Sequence, residues 1–138
     1  MVSLAALIIE NFRDAAFCPG EERETLSFPA DIHIAEAGRN KERKLRDFKG
    51  DKIISFVSED CPVSMVETVS KARQLADQKE KVPVIVAPLQ KLSRNHLAMA
   101  SMIRHKNMFF INDEQWRKEN LPKKIQLPLF IRIGDDLD

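Results

Sequence analysis

The sequence has little of what several protein classes require. Among 138 residues there are two cysteines, four glycines, one tryptophan and no tyrosine. Two cysteines cannot build the disulfide framework of a small secreted domain, and they are too few for a structural zinc site. The glycines stand singly, so neither glycine-rich phosphate loop, GxGxxG or GxxxxGK, is present. The usual nucleotide-binding motifs of an α/β protein are therefore excluded.

Long apolar runs are also missing. No stretch approaches the ~20 residues that a membrane-spanning helix needs. The opening MVSLAALII is apolar but lacks the basic segment that begins a signal peptide. Apolar residues recur at helical spacing from Leu4 to Phe12, which predicts an amphipathic helix over residues 2–15. Together these features favour a cytoplasmic protein with a single domain, 1–138.

Charge is balanced overall and uneven along the chain. The formal net charge is +1, yet residues 1–38 carry a net charge of −5 and residues 39–138 carry +6. Lysine and arginine hold polyanions through phosphate contacts, so the basic stretch from Arg39 to Lys52 predicts a nucleic-acid partner, most simply DNA. The candidate contacts are Arg39, Lys41, Arg43, Arg46 and Lys49. The alternative is a solvated surface loop.

Short apolar strands alternate with helical patterns in the second half of the chain. Near-continuous apolar runs predict buried strands over 52–57, 82–88 and 108–111. Helices are predicted from Pro62 to about residue 79, over about 93–105, and over 114–120 with Asn112 or Asp113 as its cap. Such alternation implies parallel crossovers. The predicted fold is therefore an α/β three-layer domain with a mixed central sheet of about five strands.

The last apolar segment predicts a surface for assembly. IQLPLFIRI alternates as a strand does, and we predict a C-terminal edge strand within residues 123–133. Pro128 favours an edge position because proline cannot donate to a neighbouring strand. Such an edge predicts a homodimer or a protein partner. A scaffold subunit without chemistry is one function consistent with it.

Cys61 is the first candidate for chemistry. It lies between a predicted strand and a predicted helix, in the string SEDCPVS. The positive end of a helix dipole lowers the pKa of a thiol, whereas the adjacent Glu59 and Asp60 raise it. CPVS resembles the one-thiol form of a thioredoxin-type active site, which implies a thiol redox protein using Cys61. The alternative is a small buried residue at a helix start.

Carboxylates are the second candidate. Metal-dependent phosphodiester cleavage needs two or three carboxylates around a hard cation, with a lysine that stabilises charge or positions water. Asp31 followed by Glu42, Arg43 and Lys44 fits the spacing of a split Asp…Glu-x-Lys motif. The alternative is a set of surface charges in a hairpin.

The order of the elements resembles the restriction-endonuclease-like fold of Holliday-junction resolvases and Mrr-type restriction proteins. The resemblance spans residues 2–118, with PAD at 29–31 and the stretch 82–116 carrying most of it. It implies a nuclease core over 2–118. The enzyme it implies, if active, is a metal-dependent endodeoxyribonuclease.

The resemblance also implies a set of site residues. Asp31 and Glu42 would bind Mg²⁺ or Mn²⁺, Lys44 would aid the attacking water, and Glu10 would be a further catalytic carboxylate on the first helix. The strand 52–57 has no Glu-x-Lys pair where the family carries one. That departure implies a non-cleaving relative as the second form of the hypothesis.

Overall fold

Nine strands, two α-helices and a 3-10 helix (Leu45–Asp47) are the regular elements of the described part of the chain. In this computed structural model that part comprises residues 2–3, 8–10, 25–26, 28–36, 42–79, 81–90, 107–121, 127 and 129–135. The elements are β1 (Val2–Ser3), β2 (Ile8–Glu10), β3 (Thr25–Leu26), β4 (His33–Glu36), β5 (Glu42–Lys44), β6 (Lys52–Val57), α1 (Pro62–Ala76), β7 (Val84–Pro88), β8 (Met108–Ile111), α2 (Glu114–Asn120) and β9 (Leu129–Ile133). Within those ranges no helix is long and apolar enough to cross a membrane.

Seven of the strands form one mixed sheet. Their order is β2-β9-β6-β7-β8-β4-β5, while β1 and β3 pair separately. β6, β7 and β8 are parallel, as their alternation with helices predicts. β9 and β4 are antiparallel to β6 and β8, and β2 and β5 are antiparallel to β9 and β4. All six residues of β6 are buried, so the apolar run KIISFV lies at the centre of the sheet.

Two apolar layers cover the faces of the sheet. Side chains alternate along a strand, so Ile53 and Val57 of β6 face α1 while Ile54 and Phe56 face the other side. The α1 layer contains Met65, Ala72 and Leu75. The opposite layer contains Phe28, Ile32, Leu45, Phe48, Trp116 and Leu121. The domain therefore has the predicted three layers.

The buried face of α1 is not entirely apolar. Met65, Ala72 and Leu75 are buried there together with Thr68, whose hydroxyl contacts the Ser55 hydroxyl of β6. Val66, on the same helix, is 66% exposed.

The short helix α2 begins as predicted. The Asp113 carboxylate accepts a hydrogen bond from the backbone N–H of Trp116 at 3.0 Å, which caps the helix. Trp116 is 4% exposed and lies 5.9 Å from Phe28, measured between ring centroids. The cap thus positions the single tryptophan against the core.

Two predictions about the ends of the chain are wrong. Residues 2–3 and 8–10 are strands and not part of a helix, because Ile8, Ile9 and Glu10 pair with β9. β9 is not an edge strand, since β2 lies on one side of it and β6 on the other. Pro128 and the predicted helix over 93–105 lie outside the described residues.

Candidate functional site

Cys61 lies between the interior strand β6 and the helix α1. A tight turn joins the two elements, in which the Cys61 N–H donates to the Ser58 carbonyl at 3.0 Å. Cys61 is the N-cap residue of α1, and Pro62 occupies its first turn. Proline suits that position because its ring presets the helical φ and the N–H it lacks would have no helical partner. The string SEDCPVS therefore places the Cys61 side chain at the carboxyl end of β6.

Cys61 is oxidised and almost completely buried. It is disulfide-bonded, and only 1% of the residue is exposed. The sequence contains one other cysteine, Cys18, which lies outside the described residues. The sequence left open a single redox-active thiol or a small buried residue at a helix start, and the structure shows a buried cysteine in a disulfide.

Ser64 fixes the backbone that carries Cys61. Its side chain is buried, and its hydroxyl donates to the Cys61 carbonyl at 2.6 Å. The Ser64 hydroxyl oxygen also accepts a hydrogen bond from the backbone N–H of Ser58 at 3.2 Å. A buried hydroxyl makes such bonds because it would otherwise lose its hydration without compensation. Ser64 thus ties the end of β6 to the first turn of α1.

A second pair of hydroxyls continues this connection into the sheet. Thr68 donates to the Ser64 carbonyl at 2.7 Å. Its oxygen lies 2.5 Å from the Ser55 hydroxyl. Because the single proton of Thr68 is used for Ser64, Ser55 is the donor in the second contact. The helix is therefore held to the central strand by polar as well as apolar contacts.

Gln90, just beyond the end of β7, completes the turn that precedes Cys61. Its side-chain amide donates to the Asp60 carboxylate at 3.1 Å, and its carbonyl oxygen accepts from the Ser58 hydroxyl at 3.3 Å. The Ser58 hydroxyl in turn accepts the Asp60 N–H at 3.2 Å. Sequence analysis missed Gln90. The parallel pairing of β6 and β7 could have indicated it, because this pairing places the residues after Val57 beside the residues after Pro88.

The predicted metal-binding carboxylates are in the β4–β5 hairpin and do not meet. Glu42 pairs with Ala35 near the end of β4, whereas Asp31 lies in the turn before that strand begins. Asp31 and Glu42 are both exposed. Lys44 lies opposite His33, and it is the His33 Nδ1 atom that lies 4.0 Å from the Glu42 carboxylate.

Glu10 is at the other end of the sheet. It belongs to β2, one edge strand, whereas Glu42 and Lys44 belong to β5, the opposite edge. Six strand spacings separate the two edges, or about 29 Å. Among the described residues no group of three His, Cys, Asp or Glu side chains is arranged to hold a metal ion. The structure thus keeps Glu42 and Lys44 together on β5 and places Glu10 at the opposite edge of the sheet.

The predicted basic surface is also divided. The Arg43 guanidinium lies 5.9 Å and 5.8 Å from the ring centroids of Phe48 and Phe109. It therefore makes cation–π contacts within the domain. Arg46 and Lys49 are exposed. Arg39 and Lys41 lie outside the described residues.

Lys52, from the same basic stretch, is inside the protein. It is 0% exposed, and its ammonium donates to the carbonyls of Phe48 and Gly50 at 3.0 and 2.9 Å. Burial lowers the pKa of Lys52, although Asp135 and Asp51 act in the opposite direction. This lysine is therefore a structural cation of the 48–51 loop.

Several solved structures have a similar fold. A "putative electron transfer protein" of Aquifex aeolicus VF5 superposes with a TM-score of 0.58 at 14% identity, covering 82% of this chain and 79% of that one. Thioredoxin from Wuchereria bancrofti gives a TM-score of 0.56 at 17% identity, with 81% of each chain covered. No family model and no curated protein matches the sequence.

These likenesses establish a thioredoxin-like fold and correct the restriction-endonuclease-like prediction. The α/β class is confirmed. The sheet has seven strands among the described residues where about five were predicted, and the nuclease family is wrong. The interpretation as a DNA-binding nuclease depended on that family and is therefore wrong as well. The error arose because alternating strands and helices are common to several α/β folds, and the pattern along the chain does not state the order of strands in the sheet.

Proposed function

We propose that this protein is a thiol–disulfide redox protein whose working group is a reversible disulfide between Cys61 and Cys18. One observation carries the proposal: Cys61 is disulfide-bonded at the start of the helix that follows the central strand of a thioredoxin-like sheet. Cys18 is the partner because the sequence has no third cysteine. The partner substrate is a dithiol or disulfide of another protein.

The burial of Cys61 decides the order of events. A thiolate of a dithiol reductant attacks the sulfur of Cys18, since Cys61 is only 1% exposed. A mixed disulfide forms at Cys18, the original S–S bond breaks, and the sulfur of Cys61 leaves as a thiolate. The second thiol of the reductant then attacks the mixed disulfide and releases Cys18. Two electrons and two protons pass to the protein, and the reductant becomes a disulfide.

The helix supplies the stabilisation that this exchange needs. A leaving thiolate departs faster when its negative charge is stabilised. Cys61 caps a 15-residue helix whose first turn has no acidic residue, so the positive end of the helix dipole acts on the departing sulfur. Ser64 keeps the Cys61 backbone in place during the change because its hydrogen bonds do not involve the sulfur.

A redox titration tests the proposal. The protein is equilibrated with glutathione or dithiothreitol buffers and its free thiols are trapped with a mass tag. We expect two thiols to appear together in a two-electron transition between about −300 and about −180 mV, the range of exchange-active disulfides. Cys18→Ser and Cys61→Ser are the matched controls, and each should show one thiol at every potential.

Two results would contradict the proposal. A midpoint well below about −300 mV would identify a structural disulfide. Failure of the native protein to accelerate the reduction of insulin by dithiothreitol, while its disulfide titrates within the range, would exclude protein substrates.

A further inference from the structure

The amide of Gln90 is a side-chain link between the residues that follow β6 and β7, at the end of the sheet where Cys61 lies. Gln90 follows β7 and reaches the turn after β6 through two side-chain contacts, with Asp60 at 3.1 Å and Ser58 at 3.3 Å. Asp60 is the residue immediately before Cys61. Gln90 is half-buried, whereas Asp60 is exposed. The position of the Asp60 carboxylate is thus set from outside its own turn.

We propose that Gln90 is a positioning residue that sets the reduction potential of the Cys61 disulfide by holding the carboxylate of Asp60. The inference rests on the proposed function, because it concerns the same disulfide. The proposed effect of Gln90 passes through its contact with Asp60.

The physical reason is the charge next to the thiolate. A carboxylate beside a thiol disfavours the thiolate, and an N–H donor to that carboxylate offsets part of its negative charge. Stabilising the reduced form of a disulfide makes it a stronger oxidant. Gln90 therefore raises the reduction potential, since its amide N–H satisfies the carboxylate and holds it toward β7.

The test is a double-mutant cycle on the reduction potential at low ionic strength. Gln90→Ala should shift the equilibrium with glutathione about threefold toward the disulfide, which corresponds to about 14 mV more negative. Gln90→Glu, which has nearly the same shape but places a second carboxylate against Asp60, should shift it further in the same direction. Asp60→Asn should shift it toward the dithiol.

The decisive member of the cycle is the double variant. In the Asp60→Asn background Gln90→Ala should leave the potential unchanged, because the carboxylate through which Gln90 acts is gone. A shift that persists there would assign the effect to the lost Ser58 contact and overturn the proposal. The shift of the single variant should also shrink in about 1 M salt, which screens exposed charges.

Gln115→Ala is the matched control, since Gln115 makes the same kind of amide-to-carboxylate contact with Glu119 on α2 at 3.1 Å. It should leave the potential unchanged. If the wild type titrates and neither Gln90 variant differs from it, this inference fails while the proposed function stands. If the wild-type disulfide has no reversible potential, the proposed function itself fails.

Discussion

At the scale of one residue, Lys52 shows that a buried charge has a different role from an exposed one. The basic stretch predicted contacts with a polyanion, yet this ammonium is enclosed and satisfies two carbonyls of its own loop. A buried ammonium needs such partners because an unpaired one would lose its hydration. The charge count along the sequence could not separate Lys52 from the exposed Lys49.

Lys52 also makes stability depend on pH. Burial lowers its pKa in the folded state below the ordinary value of 10.5, so the unfolded chain binds more protons in the alkaline range and stability rises with pH there. Lys52→Met should remove this contribution. Urea unfolding at about pH 8 and about pH 10 should therefore show the wild type gaining stability relative to the variant.

Lys49→Met is the control, because it removes an exposed ammonium from the same loop. It should leave the pH dependence as in the wild type. Equal pH dependence in wild type and Lys52→Met would contradict the explanation.

At the scale of the element, the sequence predicted those helices and strands that have local signals, and it did not predict those that depend on tertiary contacts. α1, α2 and the three parallel strands were predicted close to their observed bounds, because a start signal such as Pro62 or Asp113 and an apolar run belong to the segment itself. β2 was not predicted as a strand. The apolar residues of MVSLAALII have helical spacing, but pairing with β9 outweighs this local preference. The partner of β2 is more than 110 residues away in the sequence.

The cap of α2 allows a test at this scale. Asp113 accepts the Trp116 N–H at 3.0 Å and, through its other oxygen, the His33 N–H at 3.3 Å. Asp113→Ala should lower the free energy of unfolding by about 1 kcal/mol, since both donors lose their acceptor. Asp113→Asn should retain most of the stability because asparagine also caps helices. Equal stability of the two variants, measured by urea unfolding, would exclude a role for the cap.

At the scale of the whole molecule, the proposed disulfide connects the two halves that differ in charge. Cys18 and Cys61 are 43 residues apart in the sequence. Closing a loop of that length lowers the entropy of the unfolded chain by an amount worth about 4 kcal/mol.

Reduction should therefore destabilise the protein by up to about 4 kcal/mol. Urea unfolding with and without dithiothreitol measures this difference. The double variant Cys18→Ser/Cys61→Ser should match the reduced protein and be insensitive to dithiothreitol. A wild type whose stability does not change on reduction would contradict the proposed pairing.

The sequence by itself determined the α/β class, the starts of α1 and α2, and the position of Cys61 between a buried strand and α1. These depend on periodicity and capping within short segments. Only the tertiary structure decided that β9 is interior, that Glu10 lies an entire sheet away from Glu42, that Gln90 reaches Asp60 and that Cys61 is bonded and buried. Those facts arise from pairings between residues far apart in the chain, and no local pattern records which strands become neighbours.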